Sequence, residues 1–246
     1  MRLKRDQVII TRPEPVLAKT IKAVNALGWK AVSSPLFSIQ SESASLPDIQ
    51  AVDLLAFTSA QAIIPTIQNY NSCYHKVLFT IPVFTVGDNT AVKASAAGFK
   101  NVISAHGDAI ALAELIIQKH KEKQKNILLP CGKGMGGILT NQLQNHGFHV
   151  FRREVYSIHS YSSLSDQVIA SIQQDQVNAI LFFSEKTADL FLQLSLPEFK
   201  PYFKSIRAIV MSLKIATVFQ THFWKSIEIA KQPDFQSMLL LLKAND

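Results

Sequence analysis

Phe57-Thr58-Ser59-Ala60 has a counterpart 125 residues later, Phe182-Phe183-Ser184-Glu185. At the same offset, Val83-Phe84-Thr85-Val86-Gly87-Asp88-Asn89-Thr90-Ala91 falls on Ala208-Ile209-Val210-Met211-Ser212-Leu213-Lys214-Ile215-Ala216, Ala105 on Ala230, and Leu115 on Leu240, all without a gap. A second set of blocks runs at offset 119. It carries Val8-Ile9-Ile10 onto Ile127-Leu128-Leu129, Gly28 onto Gly147, and Phe37-Ser38-Ile39 onto Tyr156-Ser157-Ile158. In each block a short apolar run leads into small or hydroxylated residues. Two copies of one α/β unit predict two similar lobes, and a cleft between lobes is a common place to hold a ligand. The period is too long for a solenoid.

Outward from these blocks, strand and helix signals alternate along the whole chain. Apolar runs at 8–11, 30–39, 54–57, 83–86, 102–103, 127–129, 148–160, 179–183, 208–211 and 227–230 read as strands, the one at 148–160 being unusually long. Helical spacing fills the gaps, as at 13–27, stopped by Gly28, and at 138–145, stopped by Gly147. Pro65 predicts a helix that starts late or kinks. Repeated alternation implies an α/β fold, with parallel sheets covered by helices on both faces. Ligands on such sheets bind at the carboxyl ends of the strands. The candidate loops are therefore Thr11-Arg12-Pro13, Thr58-Ser59, residues 87–90, residues 130–137, Ser184-Glu185 and residues 212–215. Unpaired N–H groups at helix starts make such loops receptive to carboxylates and phosphates.

The bulk numbers agree with a soluble two-lobed protein. A chain of 246 residues with 48% hydrophobic content can bury two cores. A net charge of +7 and a pI near 9.4 suit an acidic partner. The densest basic run, Lys119-His120-Lys121-Glu122-Lys123-Gln124-Lys125, has no interleaved aromatics, which argues against nucleic acid. Only Val8-Ile9-Ile10 is apolar before Arg12, after Arg2, Lys4 and Arg5, which is too short for a signal peptide. No apolar run reaches membrane-spanning length, so no membrane partner is expected. Cys73 and Cys131 form no CxxC, and a reducing, cytoplasmic setting follows. The seven histidines make no HExxH and no zinc-type cluster, and no metal is expected. Neither Ser59 nor Ser184 sits in GxSxG.

Gly132-Lys133-Gly134-Met135-Gly136-Gly137 is a literal GxGxxG between a strand and a helix, with Glu154 downstream. It leaves three readings open: a dinucleotide loop, a flexible loop that closes on an anionic ligand through Lys133, and an ordinary turn. Tyr156, on the long strand, reads as either an exposed phenolic acid or a half-buried strand aromatic.

Taken together, Val8-Ile9-Ile10-Thr11-Arg12-Pro13, Phe57-Thr58-Ser59-Ala60, Val86-Gly87-Asp88-Asn89-Thr90-Ala91 with Gly98-Phe99, Leu129-Pro130-Cys131-Gly132, Val155-Tyr156 and Phe182-Phe183-Ser184 resemble the uroporphyrinogen-III synthase family in order and spacing. The resemblance implies that one lobe is built from 1–37 plus 161–246 and the other from 41–153, with extended crossovers at 30–40 and 148–160. It implies a cofactor-free, cytoplasmic monomer that cyclises hydroxymethylbilane and touches hydroxymethylbilane synthase only transiently. Tyr156 would face the cleft and assist loss of the substrate hydroxyl. Arg12, Thr58, Ser59, Gly87, Asn89, Thr90, Gly132, Lys133, Ser184, Ser212 and Lys214 would contact the substrate. One loop departs from the pattern. Ser212 and Ile215 stand where the other copy has Gly87 and Thr90, which predicts a less open backbone, a weaker helix cap, and compensation by the charge of Lys214. Phe223 likewise stands where the other copy has Gly98. This divergent loop keeps a non-catalytic tetrapyrrole-binding relative in view as the alternative, beside a nucleotide-binding α/β protein.

Overall fold

Val8, Ile9 and Ile10 are fully buried, as are Leu55, Ala56 and Phe57, and Ile180, Leu181 and Phe182. Consecutive burial of this kind requires cover on both faces, the environment of a parallel strand under helices. The computed structural model describes residues 5–14, 16–120, 124–195, 197, 199–219 and 224–243. Arg2, Lys4, the centre of the basic run at 121–123, His222 and Phe223 lie outside the described residues.

Among the described residues the strands are β1 (Gln7–Ile10), β2 (Lys30–Ser33), β3 (Phe37–Ser41), β4 (Leu54–Phe57), β5 (Val83–Thr85), β6 (Val102–Ser104), β7 (Asn126–Gly132), β8 (His149–Ser160), β9 (Val177–Phe182), β10 (Arg207–Val210) and β11 (Ser226–Ile229). The helices are α1 (Val16–Asn25), α2 (Ile63–Asn69), α3 (His75–Leu78), α4 (Asp88–Ala96), α5 (Ala109–Lys119), α6 (Gly137–Asn145), α7 (Asp166–Gln173), α8 (Glu185–Ser195), α9 (Lys200–Phe203), α10 (Leu213–Ala216) and α11 (Phe235–Lys243).

The chain divides into two compact units, Met1–Ser38 with His159–Asp246, and Ile39–Ile158. The first holds a sheet of order β11-β10-β9-β1-β2, parallel at every pairing. The second holds β3-β8-β7-β4-β5-β6, in which the pairings of β4 to β8 are parallel. The two sequence offsets explain this pairing of sheets. Offset 125 maps β4, β5 and β6 onto β9, β10 and β11, and offset 119 maps β1 and β2 onto β7 and β8. Five strands of each sheet therefore share one doubly wound order, β3 being an extra edge strand, and over those five the second unit is a circular permutation of the first. In each, strand order reverses at one place, between β1 and β9 and between β7 and β4. Such switch points open a crevice at the carboxyl ends of the strands.

The expected single strand at 30–39 is two strands. Ser34-Pro35-Leu36 separates β2 from β3, since Pro35 has no N–H to give a ladder. The Ser34 amide still reaches the Ile10 carbonyl at 2.8 Å, and Leu36 is buried. The unit boundaries fall inside β3 and β8. Pro65 is accommodated by a late start. A 3-10 turn at Ala60–Ala62 comes first, and Pro65 then lies in the opening turn of α2, where no helical N–H is needed.

The first unit's core centres on Phe182, Phe191, Phe203 and Phe219, with Trp224 stacked on Phe203 at 4.4 Å. Each large side chain so buried contributes about 1.5–3 kcal/mol. In the second unit, Phe57, Leu128, Val155 and Tyr156 share one cluster, and Leu54, Phe84, Leu129 and Leu139 share another on the opposite face of the sheet.

Candidate active site

In the first unit the carboxyl ends of β1, β9 and β10 carry Arg12, Ser184, Ser212 and Lys214. Thr11 turns inward and donates its hydroxyl to the Leu181 carbonyl at 2.7 Å, which tethers β1 to β9 at the switch point. Arg12 turns the other way. Its guanidinium lies 4.2 Å from the centre of the Phe183 ring and 5.7 Å from that of Phe235. Partial burial lowers its pKa, yet no carboxylate pairs with it among the described residues. A stacked cation without a partner is ready for an anionic ligand. The repeat counterpart of Arg12 is Cys131, so this charge belongs to one unit only.

Ser184 caps α8. Its Oγ lies 2.7 Å from Thr187 Oγ1 and accepts the Thr187 amide at 3.2 Å. Glu185 pairs with Lys214 at 2.9 Å, and the lysine side chain is 79% exposed. Such an exposed pair adds little stability, and Glu185 raises the Lys214 pKa. A concavity of about 620 Å³ beside this loop is lined by Phe37, Ser184, Lys186 and Asp189 among others.

The divergent 212–215 loop keeps its backbone shape. Gly87 has φ −153° and ψ 170°, and Ser212 has φ −152° and ψ 161°, an extended conformation open to any residue. A Cβ at Gly87 would meet nothing within 4 Å. Thr90 and Ile215 make the same amide contact, to the carbonyl of Gly87 and of Ser212. No side chain at Gly87 or Ser212 caps the helix. The exchange therefore carries no backbone strain, and neither helix start has a side-chain cap to lose. What differs is length: α4 runs nine residues, whereas α10 runs four and passes into a 3-10 turn at Thr217–Phe219. Ile215 is 4% exposed within the Phe182 cluster. Ile215→Thr is expected to lower stability by about 1–3 kcal/mol, through lost packing and an unpartnered hydroxyl, and to leave turnover unchanged. Denaturant melts beside a turnover assay check this.

In the second unit the corresponding ends belong to β7, β4 and β5, with β8 alongside β7. Thr58 and Ser59 follow β4, and the Ser59 Oγ accepts the Gln61 amide at 3.2 Å. Asn89 is exposed and Thr90 buried at the start of α4. Gly132 ends β7, and a bulge there sets it opposite Tyr156. Lys133 is exposed, so its ammonium is available.

Tyr156 is neither exposed nor half-buried. It is 3% exposed, and its hydroxyl meets the Met135 Sδ at 3.7 Å. Gly132 lies directly beneath it. A Cβ there would come within 2.8 Å of the tyrosine ring and 2.9 Å of the Met135 sulfur. Gly132 thus admits the ring and offers no open backbone to a ligand. Three amides of the glycine loop are committed within the chain. Lys133 N–H donates to the Tyr156 carbonyl at 2.8 Å, Gly134 N–H to Glu154 Oε1 at 2.9 Å, and Met135 N–H to the Gly132 carbonyl at 2.9 Å. Those three are not free for a phosphate. Glu154, the residue a dinucleotide reading would give to a ribose, instead holds the loop and pairs with Arg152. The Gly134 amide, and then Arg152, keep its carboxyl below the usual range.

Met135 and Phe183 lie inside motifs that the sequence shows without a role for them, and Arg152 and Phe235 lie outside any motif. The one signal for Arg152 was its placement two residues before Glu154, which puts both on one face of β8. Among the described residues no group of three or more His, Cys, Asp or Glu could hold a metal ion.

The family model described as uroporphyrinogen-III synthase HemD matches residues 18–239. The structure resembles that of uroporphyrinogen-III synthetase from Helicobacter pylori at 20% identity, covering 100% of both chains with a TM-score of 0.62. It also resembles a mutant uroporphyrinogen III synthase from the extremely thermophilic bacterium Thermus thermophilus at 14% identity, covering 97% of both chains with a TM-score of 0.55. No curated protein matches the chain.

Proposed function

The chain belongs to the uroporphyrinogen-III synthase family, and from that premise we propose which of its residues carry the reaction. The enzyme is a cyclising hydro-lyase of haem biosynthesis: it closes hydroxymethylbilane to uroporphyrinogen III with inversion of the terminal pyrrole ring and loss of water. Tyr156 is the general acid. Its phenol gives a proton to the departing hydroxyl, and water leaves an electrophilic azafulvene. The substituted carbon of the terminal ring attacks to form a spiro intermediate. That intermediate fragments and recloses with the ring inverted, and the proton lost on rearomatisation restores the phenol. Holding the chain for this attack, over the easier head-to-tail closure, is the larger contribution.

The observation that carries this reading is the place of Tyr156. It pairs with the last residue of β7, beside the β7/β4 switch point, and among the described residues its hydroxyl bonds to a thioether. The substrate's carboxylates are assigned to Arg12, Lys133 and Lys214, the cations of the strand-end loops. Thr58, Ser59, Asn89, Ser184 and Ser212 carry short polar side chains and Gly87 none, so carboxylates can approach those loops, while the buried Thr90 supports the start of α4. Gly132 acts as the seat of the tyrosine. We read the protein as a cytoplasmic monomer, in keeping with its free thiols at Cys73 and Cys131. Contact with hydroxymethylbilane synthase is transient in this reading.

The test is a coupled assay in which hydroxymethylbilane is generated in situ and the oxidised porphyrins are separated by isomer. Unassisted closure gives isomer I. A protein-dependent switch to isomer III is the expected result. Isomer I alone, from folded protein, would favour the non-catalytic relative.

A further inference from the structure

The loop from Gly132 to Gly136 covers two reactive side chains, Tyr156 and Cys131. Its backbone is tied down at several points. Besides the three amide bonds above, the Met135 carbonyl accepts Arg152 Nε at 2.6 Å and the Cys131 thiol at 3.3 Å, and Arg152 completes an ion pair with Glu154. Gly134 and Gly136 hold φ of +74° and +86°, the left-handed region that only glycine enters without strain. By contrast the Met135 side chain is 41% exposed, and its hydrogen-bonding contact is the weak thioether acceptance from the Tyr156 hydroxyl at 3.7 Å. A backbone fastened by strong bonds thus carries one loosely held, three-torsion side chain over the phenol.

We propose that Arg152 and Glu154 are positioning residues that clasp the glycine loop, and that the Met135 side chain alone is the gate that uncovers Tyr156. This rests on Tyr156 being the acid. Turning methionine aside breaks one weak contact, whereas lifting the loop breaks an ion pair and several hydrogen bonds. Methionine also suits the exchange, because its thioether packs well on aromatic rings and a pyrrole of the substrate can take the place of the phenol beside it. The gate keeps water from the phenol until that ring arrives. Glu154 holds the Gly134 amide through one oxygen, and Arg152 bridges that carboxylate to the Met135 carbonyl. The two side chains lie two residues apart on β8, so one strand face holds the loop, and the bulge before Tyr156 turns the acid away from that face.

Cys131 reports directly on the loop. It is 1% exposed and its thiol is bonded to the Met135 and Arg153 carbonyls. Burial, first of all, raises its pKa, while Arg152 lowers it and Glu154 raises it, so each variant's labelling rate is divided by its own thiolate fraction, taken from the pH dependence of labelling. In a Cys73→Ser background the aromatic disulfide reagent 5,5′-dithiobis(2-nitrobenzoate) reads Cys131 alone. Labelling is expected to stay slow in that parent and equally slow with Met135→Ala. It is expected to rise about tenfold or more with Arg152→Ala or Glu154→Ala, the scale of losing one or two net hydrogen bonds. Glu154→Gln keeps an acceptor for the Gly134 amide and should label close to the parent, and Arg152→Lys should fall between. In the coupled assay Arg152→Ala should lower kcat more than it raises KM, with Glu154→Gln nearer the parent than Glu154→Ala. Parent-like labelling in both alanine variants overturns the clasp. Labelling of Met135→Ala as fast as Arg152→Ala overturns the side-chain gate and makes the whole loop the lid. If the labelling pattern holds while Tyr156→Phe keeps full turnover, the acid role of Tyr156 fails, and the gate with it, while the clasp stands.

Discussion

Tyr156→Phe is expected to lower kcat by about 10²-fold, the lower end of what a positioned proton donor contributes. KM should move by less than about threefold, since the donated proton matters at bond breaking and not in binding. The substitution suits the site. The ring sits over Gly132 within the Phe57 and Leu128 cluster, so phenylalanine fills the same space and removes only the hydroxyl. The oxygen's hydrogen bond is to sulfur, so its loss strands no strong partner and stability should hold. Steady-state kinetics on hydroxymethylbilane made in situ, with a thermal melt beside them, separate the two effects. Unchanged kcat would remove Tyr156 from the chemistry and leave orientation as the source of the rate.

Glu228→Gln is expected to destabilise the protein by about 3 kcal/mol, at the lower end for breaking a buried ion pair by removing one partner. Arg207 is 2% exposed on β10. It donates to both oxygens of Glu228 on β11, at 2.8 and 2.6 Å, and to the Leu241 carbonyl in the last turn of α11 at 2.7 Å. Glutamine keeps the shape and leaves the guanidinium charge uncompensated. The double change Arg207→Met with Glu228→Leu should recover much of the loss, since apolar replacement of both partners is often neutral. Arg207, then Ser226 and Lys225, hold the Glu228 carboxyl below its usual range. Its depressed pKa means that the stabilisation is complete above the unfolded value, about 4.3 for glutamate, and fades as pH falls from there toward the folded value. Denaturant melts of the two proteins should therefore differ most at neutral pH and converge in acid. A gap that does not depend on pH would assign the loss to packing.

Much of the fold was legible because buried parallel strands leave short apolar runs, and β1, β4 and β9 are such runs. Both offsets could be read for the same reason: matching strands need matching cover. The break between β2 and β3 was written in Pro35 but hidden by apolar neighbours on either side. The strand-end loops were legible as a class, since parallel sheets gather ligand contacts there. Their inner geometry was not. Ser212 for Gly87 looked costly, yet both backbones are extended and the change is conformationally free. The facing of Tyr156 depends on a bulge at Gly132 and on where Met135 lies, and neither leaves a periodic trace. Arg12 could be named as a candidate, but its seat on Phe183 joins residues far apart in the chain, which no local pattern encodes.

The place of β1 between β2 and β9 governs the order in which the protein can form during synthesis. The N-terminal strand emerges first, but its inner neighbour is more than 160 residues downstream. The second unit, continuous from Ile39 to Ile158, has all its strands in hand before β9 exists. It can therefore close on the ribosome while Val8, Ile9 and Ile10 are still without cover on one edge. The first sheet has high contact order by construction and completes last. That interval exposes an apolar, strand-forming segment to other chains, the state in which a nascent protein most needs a chaperone.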